Sequence, residues 1–171
     1  MSEFMERLSL TKEELWDNER YCQLYCSYRM NPDEEAEDGL RRDVFAGSGC
    51  FMPLLNQFWN GDSYIMDAFH KDGIVAGYFC YPIYDFQGEN RGEQILDFRD
   101  DCANAIEEMA GLDAFTYIGG ASGIYYGYID FIAWDLKAVL DVAKKVFANT
   151  KIEWVMFHSF RQDVKGVTVY E

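Results

Sequence analysis

Basic side chains are scarce in this chain of 171 residues. Fifteen Lys and Arg stand against thirty Asp and Glu, which leaves a formal net charge of −15 at pH 7. A protein that binds nucleic acid needs a basic patch that neutralises phosphates, so the composition argues against direct nucleic-acid binding. Adsorption to an anionic membrane surface is disfavoured for the same reason.

Long apolar runs are also missing. No segment approaches the roughly eighteen consecutive apolar residues that a membrane-spanning helix needs. The amino-terminal sequence MSEFMERLSL has no apolar core flanked by basic residues, so we expect no signal peptide. Five cysteines without such a signal are typical of thiols in a reducing compartment, and an odd number cannot all pair. The sequence therefore predicts a soluble cytoplasmic protein.

The apolar content predicts a sizeable core. Apolar residues make up 49% of the chain and aromatic residues 17%, and the length suits one domain of ordinary size. We therefore expect a single domain over residues 1–171. Within it, residues 1–60 are predicted to form a helical extension and residues 61–171 an α+β sandwich.

The first sixty residues are expected to be mainly helical. A helix is predicted over residues 11–30, because Thr11 and Glu14 have the spacing of a capping box at its start. An acidic run follows at 33–38 and is interpreted as a solvated linker or an exposed helix start. A short second helix is predicted over residues 51–59.

From residue 63 onward the pattern indicates alternating strands and helices. Two runs rich in aromatic and β-branched residues, 63–70 and 74–84, flank an Asp-Gly turn and predict a hairpin. The remaining predicted elements are a helix that ends at Gly111, strands over 114–119 and 125–134 separated by a turn over 120–123, a helix capped by Asp135, and strands over 152–160 and 167–170.

This order predicts an α+β fold of the ferredoxin-like split βαβ type (βαββαβ). Right-handed crossovers would place its two helices on one face of an antiparallel sheet. The first strand of the hairpin and the N-terminal helical extension would precede this unit. The alternative is another α+β sandwich in which the same elements pair in a different order.

Alternation along the strands assigns side chains to two faces of the predicted sheet. One face, with Ile129, Phe131 and Val155, should meet the two helices. The opposite face is an aromatic wall formed by Tyr78, Tyr126, Tyr128, Trp154 and Met156, and it also carries Asp130 and His158. In one interpretation the first sixty residues fold back over this wall. In the other, the wall lines a ligand pocket in which Asp130 orients His158 for proton transfer.

Other catalytic and metal-binding patterns are weak. Cys22 and Cys26 are expected to share one helix face, but no second ligand pair accompanies them, so we interpret them as core residues rather than zinc ligands. His70 is expected to be exposed. Ser122 lies in Gly-Gly-Ala-Ser-Gly, but a strand follows it, whereas a nucleophile elbow or a phosphate loop requires a helix. We therefore predict no metal, no cofactor and no catalytic residue outside the aromatic wall.

The helix that ends at Gly111 has an acidic side. Its apolar stripe is predicted at Ile95, Phe98, Cys102, Ile106 and Met109. Five acids fall away from this stripe, opposed only by Arg99: Asp97, Asp100, Asp101, Glu107 and Glu108. Acidic surfaces keep many proteins soluble, but they also steer and orient basic partners.

The leading functional hypothesis is a protein-binding module, a stoichiometric inhibitor or immunity-type protein that neutralises a basic partner such as a nuclease toxin. The five acids would bind that partner, and the chain would be a monomer or a weak homodimer. The alternative is a small-ligand-binding protein or enzyme that uses the aromatic wall, with Asp130 and His158 as its acid–base pair. A third hypothesis is self-assembly through the strands at 152–160 and 167–170.

Overall fold

Seven strands and four helices are present in the structure, a computed structural model that describes residues 25–171. In chain order they are β1 (Cys26–Arg29), β2 (Val44–Gly49), α1 (Met52–Trp59), α2 (Tyr64–Lys71), β3 (Val75–Pro82), α3 (Arg91–Ala110), β4 (Phe115–Gly123), β5 (Tyr126–Ala133), α4 (Leu136–Ala148), β6 (Val155–Ser159) and β7 (Val167–Tyr170).

The strands form one antiparallel sheet in the order β1-β2-β4-β5-β3-β6-β7. The four strands predicted for the βαββαβ unit are the inner four, in the order β4-β5-β3-β6. Strands β1 and β2 extend the sheet on one side and β7 on the other. The α+β class is thus confirmed, while the sheet has three more strands than a ferredoxin-like sheet.

Helices α3 and α4 cover one face of the sheet. Ile106 of α3 and Phe147 of α4 are fully buried against Phe79, Phe131 and Val155 of the strands. Helix α4 begins at Asp135, whose carboxylate accepts a hydrogen bond from the backbone N–H of Ala138 at 3.0 Å, as an N-cap should. The predicted division of the strands into two faces and the predicted cap are both confirmed.

The other face carries a second core beneath α1, α2 and the segment that precedes β2. Its buried members include Leu54 and Phe58 of α1, Met66 and Phe69 of α2, and Tyr78, Tyr128 and Phe160 of the sheet face. The short helix predicted over 51–59 is confirmed as α1. Part of the first sixty residues therefore lies over the aromatic wall, together with α2.

The predicted hairpin strand at 63–70 is wrong, because these residues form helix α2. Ile65, Met66 and Phe69 are all buried on one side, which is the periodicity of a helix. The Asp-Gly pair ends this helix instead of turning a hairpin, and Gly73 adopts a φ of 71° there. His70 is exposed, as expected, but it lies in the last turn of α2.

The helix predicted over 11–30 is wrong at its carboxyl end. Residues 11–24, with Cys22, lie outside the described part of the chain, whereas Cys26–Arg29 form β1. Cys26 pairs with Gly49 in the ladder to β2, so it is not on a helix face. The backbone N–H and C=O groups along the edge of β2 pair with this segment. Local helix propensity does not take such pairing with another strand into account.

Two further expectations about the sheet are corrected. The glycine-rich segment 120–123 is not a turn but the end of β4, where Ser122 pairs with Ala46 of β2. The connection to β5 is made by residues 124–125 instead. The strand at 155–159 has neighbours on both sides, β3 and β7. Of the two strands proposed for self-assembly, only β7 therefore has an edge that no strand within residues 25–171 pairs with.

Candidate functional site

The segment that precedes β2 lies over the aromatic wall and is hydrogen-bonded to it. Tyr78 donates a hydrogen bond from its hydroxyl to the carbonyl of Gly39 at 3.0 Å, and Tyr126 donates to the carbonyl of Glu37 at 3.0 Å. The acidic run at 33–38 was expected to be a solvated linker. Its acidic side chains are indeed exposed, but the carbonyls of Glu34 and Glu37 accept hydrogen bonds from the hydroxyls of Tyr125 and Tyr126, and Ala36 is buried.

Asp130 lies in the middle of this wall and is paired with Arg41. The two guanidinium Nη atoms of Arg41 donate to the two carboxylate oxygens of Asp130, with an Nη2–Oδ2 distance of 3.2 Å. Arg41 is 2% exposed and Asp130 is 1% exposed. Burial is the largest single influence and lowers the pKa of Arg41, but Asp130 together with Tyr28 and Tyr78 outweighs it, so the pKa of the guanidinium is raised. The structure thus assigns Asp130 a buried cationic partner.

His158 lies on the same face without contacting Asp130. Both residues pair with Tyr78 in the ladder, one from β5 and one from β6, so two strand spacings of roughly 10 Å in total separate their backbones. The imidazole of His158 stacks on the Tyr78 ring at a centroid distance of 5.3 Å. Neither ring nitrogen has a hydrogen-bond partner among the described residues, and burial lowers the pKa of His158.

Arg41 and Asp43 are buried polar residues at this face that the sequence did not predict. Asp43 is 1% exposed and accepts hydrogen bonds from the backbone N–H groups of Tyr125 and Tyr126, at 3.0 and 3.1 Å. It also accepts one from the hydroxyl of Tyr128. A signal for Arg41 existed, because a buried acid requires a cation and the extension over the wall has basic residues at 41 and 42.

The remaining predicted wall residues have structural partners. Tyr128 is fully buried, and Trp154 packs edge-on against Tyr126 at a centroid distance of 5.4 Å. Two surface cavities of the described chain adjoin α3 instead, and neither is lined by Tyr78, Asp130 or His158. Tyr78, Asp130 and His158 are themselves buried, so the wall is covered at this part of the sheet.

The five predicted partner-binding acids lie together on the outer side of α3. Asp97, Asp100, Asp101 and Glu108 are exposed, and Glu107 is partly exposed. We call these five residues the acidic face. None of them forms an ion pair with a Lys or Arg of residues 25–171. Asp100 accepts a hydrogen bond from the hydroxyl of Tyr117 at 3.3 Å.

Two residues of α3 differ from the predicted pattern. Met109 was assigned to the apolar stripe but is 55% exposed, because α3 ends at Ala110 and the sheet does not reach its last turn. Arg99 was expected to oppose the acids but is only 6% exposed, because it points inward, past Gly120. The acidic face therefore carries no internal counter-charge.

The described part of the chain has neither a metal-ligand cluster nor a membrane-spanning helix. No group of three or more His, Cys, Asp or Glu side chains between residues 25 and 171 is placed to hold a metal ion. No helix in this part of the chain combines the length and the apolarity needed to cross a bilayer. No protein family, curated protein sequence or solved structure matches the chain.

Proposed function

We propose that this protein is a binding module that docks a basic protein through the acidic face of α3. The observation that carries the proposal is the concentration of five acids on one exposed helix side with no ion pair to any described Lys or Arg. Carboxylates arranged in this way raise the rate of association with a positively charged partner and set its orientation.

The position of two of these acids supports the proposal on energetic grounds. Glu107 and Glu108 occupy the last turns of α3, where the helix dipole disfavours negative charge, and no basic residue lies in the last turn. Each such charge costs a few tenths of a kcal/mol or more in helix stability. Acids that lower stability are consistent with selection for a surface property.

Apolar side chains next to the acidic face can supply binding anchors. Leu96 and Met109 of α3 and Leu112 after it are 47%, 55% and 67% exposed. An interface typically combines such apolar contacts with a charged rim, and a few of them carry most of the binding energy. The partner we infer is therefore basic but not purely electrostatic in its contacts.

The charge pattern favours a partner that normally binds nucleic acid. Residues 61–135 contain 14 acidic and 3 basic side chains. The carboxylates of this part of the chain would bind the basic surface with which a nucleic-acid-binding protein otherwise contacts phosphates. A stoichiometric inhibitor of a nuclease toxin fits this chemistry, and a cytoplasmic location would go with it. A catalytic or ligand-binding function at the aromatic wall has less support, because Asp130 is already paired with Arg41 and the wall is covered.

We also propose that β3–β6 with α3 and α4 form a ferredoxin-like unit to which β1, β2 and β7 are added. The support is the strand order β4-β5-β3-β6 and the placement of both helices on one face. This unit would make the acidic face the outer surface of its first helix.

The test is capture from the native host lysate with three baits at about 50 and about 500 mM NaCl, a range over which screening changes strongly. The first bait is the native chain. The second neutralises the acidic face: Asp97→Asn, Asp100→Asn, Asp101→Asn, Glu107→Gln and Glu108→Gln. The matched control removes five exposed acids elsewhere: Glu34→Gln, Glu35→Gln, Glu37→Gln, Asp62→Asn and Glu171→Gln.

We expect the native and control baits to retain the same basic protein at low salt and the acidic-face variant to lose it. The association rate with that purified protein should fall about tenfold or more in the acidic-face variant, as is typical when electrostatic steering is removed. The proposal is overturned if the acidic-face variant captures the same protein as well as the native chain does, or if nothing is retained at either salt.

A further inference from the structure

A pocket of about 570 Å³ lies between the first half of α3 and the helix-side face of β1, β2 and β4. The strands contribute small side chains to its floor, including Ser27, Ser48 and Ser122. Helix α3 contributes Ile95 and Leu96 to its wall. The small residues of the strands keep this space open where a larger side chain would fill it.

Arg99 reaches into this pocket from α3 without forming an ion pair there, although it lies close enough to Asp130 to act against the rise in the pKa of that carboxyl. It is 6% exposed, it forms no ion pair within the described chain, and its Nε has no hydrogen-bond partner. A Cβ on Gly120 would lie 2.5 Å from the Cδ of Arg99, so the absence of a side chain there makes room for the arginine. Burying part of a guanidinium without an ion pair is costly, and a bound anion would offset that cost.

Two more arginines line the same pocket, and no acid does. Arg91 lies two turns before Arg99 on the same side of α3, and it is held in place because its Nε and Nη2 donate to the carbonyls of Phe86 and Ile83 at 2.8 and 3.2 Å. Arg29 of β1 lies at the outer edge and is exposed. Residues 61–135 contain only three basic side chains, and two of them line this pocket.

We propose that this pocket binds a small organic anion. Its carboxylate or phosphate oxygens would accept hydrogen bonds from Arg99 and from the nearby serine hydroxyls, as arginine forks favour such oxyanions. Its apolar part would pack against Phe45 and Leu96, which are 40% and 47% exposed. The volume is within the range of small-molecule sites. The acidic face on the outer side of α3 repels a polyanion, so the ligand carries a single anionic head.

The test is calorimetric titration of the full chain with four probes: benzoate, phenyl phosphate, inorganic phosphate and the uncharged benzyl alcohol. Benzoate and phenyl phosphate distinguish a carboxylate from a phosphate head, and inorganic phosphate tests whether the apolar part contributes. We expect at least one of the two aromatic anions to bind, more tightly than inorganic phosphate, and benzyl alcohol not to bind.

Three variants locate the binding. Arg99→Met should weaken the aromatic anion about tenfold or more, the usual effect of losing a hydrogen bond to a charged group. It should also raise the unfolding temperature of the ligand-free protein, because it removes an unpaired buried charge. Arg29→Ala, at an exposed position, should weaken binding less. Lys144→Ala removes an exposed charge on α4 outside the pocket and should leave binding unchanged.

The proposal is overturned if neither aromatic anion saturates the native protein at millimolar concentration, if benzyl alcohol binds as well as benzoate, or if Arg99→Met binds as the native chain does. Should Arg99→Met fail to fold, an unchanged affinity in Arg29→Ala overturns it equally. The pocket lies on the inner side of α3, so these results are independent of whether the acidic face docks a protein.

Discussion

Arg41 and Asp43 together determine the chemistry of the covered sheet face. Arg41 neutralises Asp130 and also donates to the Tyr28 hydroxyl at 2.9 Å, while its guanidinium carbon lies 5.1 Å from the ring centroids of Tyr78 and Tyr128. Its backbone has a φ of 63°, in the left-handed region that few non-glycine residues adopt. The surrounding contacts hold this conformation in place.

We expect single and double substitutions of the buried Arg41–Asp130 pair to have very different effects on the free energy of unfolding. Arg41→Met should lower the free energy of unfolding by about 3–5 kcal/mol, because it leaves the Asp130 carboxylate buried without a cation. The double variant Arg41→Met with Asp130→Leu should recover most of this loss, since it removes both charges. Urea unfolding of the two single variants, the double variant and the native chain measures the coupling. A single variant that loses less than about 1 kcal/mol would contradict a desolvated ion pair.

His158 predicts a pH dependence of stability. Burial holds its pKa below the ordinary value near 6.5, so the folded state favours the neutral ring and the unfolded state binds the proton more readily. Stability is therefore fully present above about pH 6.5 and decreases as the pH falls through the lower pKa of the folded state.

His158→Phe keeps a ring that can stack on Tyr78 and removes the titration. Unfolding curves measured between pH 7 and 5 should show a flatter profile in this variant than in the native chain. The pKa of His70 is also lowered, mainly by partial burial, but this side chain is exposed, so His70→Gln should leave most of the slope. A native-like slope in His158→Phe would assign the pH dependence to other groups.

Helix α3 combines three different surfaces in one element. Ile95, Cys102 and Ile106 are buried against the sheet, Arg91 and Arg99 line the pocket beside them, and the acidic face points outward. The sequence predicted the apolar stripe and the acidic face by periodicity alone. It did not predict the inward position of Arg99, because that depends on the missing side chain of Gly120 in a different element.

Neutralising an acid should change the free energy of unfolding in opposite directions at the two ends of α3. Glu107→Gln with Glu108→Gln should raise the free energy of unfolding by about 0.5–1.5 kcal/mol, because negative charge near a helix carboxyl end opposes the dipole. Glu93→Gln, in the first turn, should lower it slightly, because there the same charge is favourable. Thermal unfolding at low ionic strength measures both. Equal effects of one sign would show that net charge matters and position does not.

At the scale of the whole molecule, the chain carries a net charge of −15, and its sheet has a hydrophobic core on each face. Like charges on this surface repel one another, and added salt screens that repulsion over distances of about 8–10 Å. The Arg41–Asp130 pair is buried and is screened much less. Because added salt weakens the surface repulsion much more than the buried ion pair, we expect salt to stabilise the folded state.

The unfolding temperature should therefore rise as NaCl is increased from about 20 to about 300 mM, over which the screening length shortens several-fold. The variant with a neutralised acidic face should start at a higher temperature and respond less to salt. A midpoint that falls with salt in the native chain would mean that attractive surface pairs outweigh the repulsion.

The sequence by itself determined the features that depend on local periodicity and composition. These are the α+β class, the position of α4 and its Asp135 cap, the two faces of the strands, the acidic face of α3 and the excess of negative charge. Each follows from residues close together in the chain, where side-chain direction repeats every 2 or 3.6 residues.

Only the tertiary structure decided the rest. Residues 63–70 carry aromatic and β-branched side chains that suit a strand, but packing against the wall favours a helix. Residues 26–29 join the sheet because β2 offers them an edge. Arg41 pairs with Asp130, which lies 89 positions further along the chain, and Arg99 is buried without forming an ion pair within the described chain. Contacts between distant residues determine each outcome, and a local pattern contains no information about them.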